Sequence, residues 1–364
     1  MPIDWTSRRA LERRMRGPVY AGLSRALGAA VVQGTIAPLC EAIARRRAGP
    51  DDIGLAVGVH GVAGHLVALP DVDALGDDLR DLITREACQI ARRAERLTDD
   101  IRALGQAAAV AGLPFTPLKG SWLRSERYRS PALRPSSDVD LLVGDEDLGA
   151  WRRVLAERGY TREIKAGRHW VFSRPDESLM AVAGEHAEHP RPVELHTRIT
   201  DRVFGADVDV TDAFRADLRA GQVMATVPAV VPGEAGLALH LFLHASAAML
   251  DRGMRLAQLL DFAFVAGDAP TRAVVRERLG DAAWAVVHLL SRDVPGLLAP
   301  AWLDDGDVEP PTGLRQRVIL SRPGLLRGDP YRLSTLGGEL LLARSPRSVL
   351  DRVRRSWGDR RAHA

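Results

Sequence analysis

Arg134-Pro135-Ser136-Ser137-Asp138-Val139-Asp140-Leu141-Leu142-Val143 is the stretch on which the fold turns. A turn-forming Pro-Ser-Ser run leads into alternating acidic and apolar residues and then an unbroken apolar run, the pattern of a buried strand over 138–143. Side chains alternate faces along a strand, so Asp138 and Asp140 point one way and Val139 and Leu141 the other. The two aspartates stand roughly 7 Å apart at the backbone, twice the rise per residue, and their carboxylates can converge on one divalent cation. Magnesium suits such a pair, because it takes a few carboxylates and keeps positions for water and phosphate oxygens. A lone Asp-x-Asp is a common turn pattern, so the neighbouring segments decide the reading.

Upstream, Leu118-Lys119-Gly120-Ser121 lies between a short apolar run at 115–118 and a short helical pattern at 121–129. A glycine at a strand-to-helix turn lets the backbone approach a phosphate closely, and the first helical amides then present donors. Gly120 and Ser121 are therefore candidate triphosphate contacts, with Lys119, Arg134 and Ser137 beside them. A loop-anchoring ion pair is the other reading of Arg134, and a pair with an aspartate the other reading of Lys119. Downstream, Pro192-Val193-Glu194-Leu195-His196 alternates again, placing Glu194 and His196 on one face. Glu194 supplies a third carboxylate, able to complete a metal shell and accept a proton from an attacking hydroxyl.

Around this α/β middle the pattern is helical. Ile83, Ala87, Ile90, Ala94, Leu97, Ile101, Leu104 and Ala108 form one apolar stripe, with Arg92, Arg93, Glu95 and Asp99 expected on a solvated face. Further helices are expected at 11–27, 35–47 and 60–68, with Pro50-Asp51-Asp52 as a turn. Within the middle section, a helix is expected at 146–158 and strands at 170–173, 179–182 and 193–199. Helices return at 234–250, 255–266, 271–279 and 282–291, then near 337–343 and 346–357. The expected division is a helical region over 1–111, a core over 112–205 and a second helical region over 206–364.

The 364 residues carry a formal charge of only +3, and 27% are charged, an ordinary balance for a globular protein. Arginine supplies nearly all the positive charge; lysine occurs only at Lys119 and Lys165. A lysine in a loop beside candidate aspartates therefore stands out. Cys40 and Cys88 show no metal-binding spacing and fit a reducing compartment. The N-terminus lacks the apolar core of a signal peptide, and the longest apolar run, 235–250, is shorter than the ~20 residues that span a bilayer. A cytoplasmic protein without membrane association is expected. His186 and His189 with Glu185 and Glu188 lack cysteine support for zinc. His240 and His244 read as interior histidines, as does His196, and Asp261 and Arg255 as members of interhelical ion pairs.

Taken together, the Gly-Ser turn, spacer helix, Asp-x-Asp strand and later acidic strand resemble the nucleotidyltransferase core of the DNA polymerase beta superfamily. The arrangement is more closely similar to a poorly characterised bacterial nucleotidyltransferase family with Leu-Lys-Gly, Arg-Pro-x-x-Asp-x-Asp-Leu-Leu-Val and Glu-Leu-His runs, here 118–120, 134–143 and 194–196. The strand continues Thr197-Arg198, where that family carries an aromatic residue after the histidine. The resemblance implies an α+β fold, with a small mixed sheet flanked by N- and C-terminal helical regions. It also implies Asp138, Asp140 and Glu194 as ligands of two Mg2+ ions, and an NTP, ATP foremost, as co-substrate. The acceptor is expected to be a small molecule or peptide. A toxin-like enzyme acting on tRNA or protein, or a scaffold that binds nucleotide without catalysis, are the alternatives. Nucleic acid is not the favoured partner, because no RNA-binding signature is present.

Overall fold

A computed structural model describes residues 8–175, 184–204, 206–218, 223–224, 227–249, 253–303, 317 and 325–326. The strand expected at 179–182 and the last two expected helices lie outside these residues. The N-terminal helices are α1 (Arg8–Met15), α2 (Pro18–Gln33), α3 (Ala37–Arg46), α4 (Pro50–His60), α5 (Ala63–Val67) and α6 (Asp77–Ala111). Pro50-Asp51-Asp52, expected as a turn, instead opens α4. Proline is tolerated where a helix has no amide partner, and two acidic residues in the first turn favour the positive end of its dipole.

The long helix α6 buries the expected stripe from Ile83 to Ala108, with Ala87 only half-buried, and ends at Gly112 with φ 66°. One member of its charged face is misplaced by that reading: Arg93 is 2% exposed. Periodicity assigns a guanidinium to solvent, but Arg93 faces two loops whose backbone carbonyls need donors.

The middle of the chain contributes β1 (Thr116–Pro117), α7 (Gly120–Glu126), β2 (Val139–Leu142), α8 (Leu148–Glu157), β3 (Arg162–Ala166), β4 (His169–Ser173) and β5 (Val193–His196). They form one five-stranded sheet in the order β1-β2-β5-β4-β3. β2 and β5 run parallel, while the β1–β2, β4–β5 and β3–β4 pairs are antiparallel. The fold is thus α+β with a small mixed sheet. Its interior strand β2 is buried on both faces, which explains the continuous apolar run after Asp140. Strand β3 was not expected, because an exposed edge strand of sequence Arg-Glu-Ile-Lys-Ala carries no hydrophobic alternation. A second, two-stranded sheet pairs β6 (Thr200–Val203) with β7 (Ala206–Asp209).

The C-terminal part contains α9 (Thr211–Asp217), α10 (Glu234–Ala248), α11 (Leu256–Leu259), α12 (Ala269–Leu279) and α13 (Asp281–Asp293). The apolar run from 235 to 248 lies in α10, buried nearly all round by α9, α12, α13 and β6. No helix among the described residues is long and apolar enough to cross a membrane.

Two contacts lock the helical regions to each other. His60 Nε2 meets Tyr20 and Ser24 of α2 at 3.2 and 2.8 Å, while its Nδ1 accepts the Leu256 amide at 3.1 Å. Next to it, Gly61 ends α4 with φ 67°. An added Cβ there would meet Arg255 Nη2 at 2.5 Å and Pro135 Cγ at 2.8 Å. Gly61→Ala is therefore expected to destabilise the fold by about 2–4 kcal/mol, the left-handed penalty plus overpacking. Urea denaturation checks this, and a loss under about 1 kcal/mol would show that the Arg255 junction is soft.

Candidate active site and metal centre

The pairing of β2 with β5 sets Asp140 directly beside Glu194 and Leu142 beside His196. The pairing of β4 with β5 sets His169 beside His196. Three strands therefore deliver Asp140, Glu194, His169 and His196 to one patch at the centre of the sheet, and Asp138 stands just before β2 on the same side. His196 Nε2 lies 2.9 Å from Asp140 Oδ1 and 3.7 Å from Glu194 Oε2. His169 Nε2 lies 3.2 Å from the same Glu194 oxygen. Lys119 Nζ approaches Asp140 Oδ1 at 3.5 Å.

The backbone of Lys119 has φ 46° and ψ −127°, a conformation that glycine adopts freely and that strains other residues by about 1–3 kcal/mol. Hydrogen bonds brace the turn on both sides: Leu118 N–H donates to Asp140 O, and Ser121 N–H to Leu118 O.

Electrostatically the patch is a cluster of acids with few counter-charges. Burial and the neighbouring Asp140 and Glu194 push the Asp138 carboxyl up to about 6, against the pull of Lys119 and the Ser137 hydroxyl. Burial acts against ionised Asp140 as well, but Lys119 and His196 hold its carboxyl well below the usual range. Burial opposes the charge on Lys119, yet Asp140, Asp138 and Glu194 raise its pKa. The His196 ring behaves alike: hydrogen bonds to Asp140 and Glu194 outweigh burial and raise it. His169 falls below its ordinary value, burial outweighing Glu194.

The loop before β2 is held from behind. Ser136 Oγ donates to the backbone and side chain of Asp138 at 3.1 Å, and Ser137 Oγ to its other carboxylate oxygen at 2.9 Å. Arg93 donates to the carbonyls of Ser136 (3.2 Å), Ser137 (2.7 Å), His186 (3.2 Å), His189 (2.7 Å) and Pro190 (2.7 Å). It also pairs with buried Glu185 at 2.9 Å, which bonds Arg255 on its other oxygen. One guanidinium thus ties the loop carrying Asp138 to the 184–190 loop that leads into β5.

Of the expected nucleotide contacts, Lys119 and Ser137 sit at the carboxylates. Ser121 is buried and its hydroxyl accepts the Asp140 amide at 2.8 Å, so it sets the strand against α7. Gly120 packs against Arg134 and Ser136, with an added Cβ meeting the former at 3.1 Å. Arg134 takes the loop-anchoring alternative: its guanidinium forms two 2.6 Å bonds to Asp261, which also accepts Tyr128 Oη at 2.9 Å. Asp261 and Arg255 are both in ion pairs, but their partners, Arg134 and Glu185, lie in loops and not on facing helices.

His240 and His244 are on α10, and both lie within the field of Lys119 and Asp140. Burial, then Lys119, lowers both, His244 to about 3; they are neutral neighbours of the patch. His186 and His189 bond backbone amides of their own loop. The residues missed in the sequence are His169 and Arg93. His169 immediately precedes the expected strand, and nothing local reveals that β4 pairs with β5. A surface groove of about 440 Å³, lined by Asp100, Leu104, Tyr160 and Arg174 among others, shares no residue with this patch.

A family model described as "Uncharacterised nucleotidyltransferase" matches residues 56–277, more than half of the chain. No curated protein and no solved structure matches it. The matched segment contains the Lys119 turn, both aspartates, Glu194 and α10, and the chain belongs to this uncharacterised nucleotidyltransferase family.

Proposed function

We propose that the protein transfers a nucleoside monophosphate from an NTP, ATP foremost, to a hydroxyl on a small molecule or peptide, releasing pyrophosphate. The observation that carries this reading is the convergence of Asp138, Asp140 and Glu194 on one face, across the parallel β2–β5 pair. The donor set fits a divalent cation. Burial, together with the charges of Asp140 and Glu194, holds Asp138 up at about 6, and a dication between the carboxylates removes their repulsion. Asp138, Asp140 and Glu194 would hold two Mg2+ ions. Bound there, the ions would activate the acceptor hydroxyl and neutralise the leaving pyrophosphate.

The chain's own groups account for the remainder. Glu194 is part-exposed between β2 and β4 and is the base that takes the acceptor's proton. Lys119 Nζ, already 3.5 Å from Asp140, presents a compact cation to a triphosphate oxygen. The exposed Ser137 hydroxyl can turn from Asp138 to a phosphate. Arg93 and Ser121 hold the two ends of the aspartate pair, so that positioning, the main part of phosphoryl-type catalysis, is set before substrate arrives.

The test is calorimetric titration of a non-hydrolysable NTP with magnesium into wild type and an Asp138→Asn/Asp140→Asn double variant. Wild type is expected to bind only with magnesium, and the double variant to bind at least about a hundredfold more weakly, ~2.7 kcal/mol. Equal binding by both proteins, or none by wild type, would overturn the carboxylate assignment.

A further inference from the structure

We propose that His169, His196 and Glu194 form a nitrogen-ligated site for a first-row transition ion, of the class that includes Zn2+, Co2+ and Ni2+. Its role in transfer rests on the reading above; its capacity to bind metal does not. Two imidazole nitrogens converge on a single carboxylate oxygen, Glu194 Oε2, at 3.2 and 3.7 Å. Metal–nitrogen bonds of about 2.0–2.1 Å in a tetrahedral shell put neighbouring donor atoms about 3.4 Å apart. The two distances fall on either side of that spacing, and all three donor atoms lie within 4.8 Å of one another.

The placement comes from the sheet. His169 and His196 are a cross-strand pair, and Glu194 is two residues before His196 on the same face. Three ligands on adjacent positions of two paired strands need no loop to order them. Their side chains are 27%, 14% and 20% exposed, which leaves an approach for the ion and for a further oxygen ligand. Asp140 Oδ1, 2.9 Å from His196 Nε2, is placed to join the shell and to link it to the Asp138 side of the patch.

The plainer account is that both histidines serve as counter-charges for the carboxylates. One imidazolium on Asp140 would suffice for that, whereas here two rings with centroids 4.9 Å apart address the same acid. Such a pair repels itself when charged and is compatible when neutral and coordinating. Imidazole is also a poor partner for magnesium, which takes oxygen ligands. The patch therefore divides by chemistry: an all-oxygen side at Asp138 and Asp140, and a nitrogen-rich side at His169 and His196, with Glu194 between.

Cobalt titration of the chelator-treated full chain, followed by visible absorption, tests the assignment. Wild type is expected to take up one Co2+ without nucleotide, with bands that Zn2+ abolishes and millimolar Mg2+ does not. His169→Ala is expected to weaken binding at least about tenfold and alter the bands. His169→Ala/His196→Ala should abolish them, with thermal melting confirming that both variants fold. Asp138→Asn should keep the Co2+ bands while losing magnesium-dependent NTP binding. Absence of Co2+ uptake by wild type, equal competition by Mg2+, or unchanged bands in the folded double-histidine variant would overturn the site. Should Co2+ bind as expected while wild type binds no NTP, the nucleotidyl-transfer reading alone fails; the converse pair of results removes only the transition-metal site.

Discussion

An Asp138→Asn protein is expected to be more stable than wild type above pH 6, by something on the order of 2 kcal/mol, and to have lost about a thousandfold or more in transfer rate. Both effects have one cause. Burial and the charges of Asp140 and Glu194 hold the Asp138 carboxyl up at about 6, above its ordinary 3.8. The folded protein thus binds more protons than the unfolded chain between those values, and stability falls as pH rises through the interval. Below pH 4 the carboxyl is neutral in both states and costs little; above 6 the full cost is present. Asparagine keeps an oxygen for the Ser136 and Ser137 hydroxyls, which now donate to Asp138, and carries no charge to repel.

Urea denaturation at pH 4 and pH 8 measures this, and the variant's advantage should appear only at the higher pH. Magnesium provides the complementary arm. A cation held by the carboxylates stabilises wild type at pH 8 through linkage, and the variant should gain much less. A variant no more stable than wild type at pH 8, or one equally stabilised by magnesium, would place the cost elsewhere than in carboxylate repulsion. A stable protein that has lost its activity is the expected signature of a residue kept for chemistry at the expense of the fold.

What could be read in the sequence was whatever depends on residues close together in it. Asp138 and Asp140 share a face because strand side chains alternate, and that needs no knowledge of the rest of the fold. The α6 stripe and the run that becomes α10 are legible for the same reason, through a period of 3.6. Strand partners are not local. Glu194 was found from its own alternation, but its register against Asp140, and the presence of His169 on the next strand, follow from a sheet order that no single segment encodes. Strand β3 was missed because it lies exposed at the sheet edge, where nothing requires apolar alternation. Pro50-Asp51-Asp52 was misread because turns and first helical turns favour the same residues. Arg134 was legible only as two alternatives, and its choice of Asp261 depends on a residue far along the chain.

Arg93 shows why periodicity fails at a buried charge, and it leads to the largest expected loss of stability. Arg93→Ala should cost about 3–5 kcal/mol, the range for removing one partner of a buried ion pair. It strips donors from five backbone carbonyls and removes one of the two guanidiniums at Glu185. Burial and Glu185 already push Glu86 up to about 7, so the surroundings have little tolerance for a second uncompensated acid. Arg93→Lys is the sharper variant. It keeps the charge, but a single ammonium has three donors on one atom and cannot reach carbonyls that a planar fork serves from three nitrogens. It is expected to fold with a loss of about 2 kcal/mol or more by urea denaturation. Amide exchange should quicken at 136–138 and 186–190, the two segments that Arg93 joins, ahead of the rest of the sheet. Transfer by the folded lysine variant should fall in kcat more than in KM, since the Asp138 loop would be displaced while Lys119 and Glu194 keep their own supports. Wild-type exchange at 136–138 together with wild-type kcat in Arg93→Lys would show that Ser136, Ser137 and the strand itself suffice to place the aspartates, and that Arg93 only fills the space between two loops.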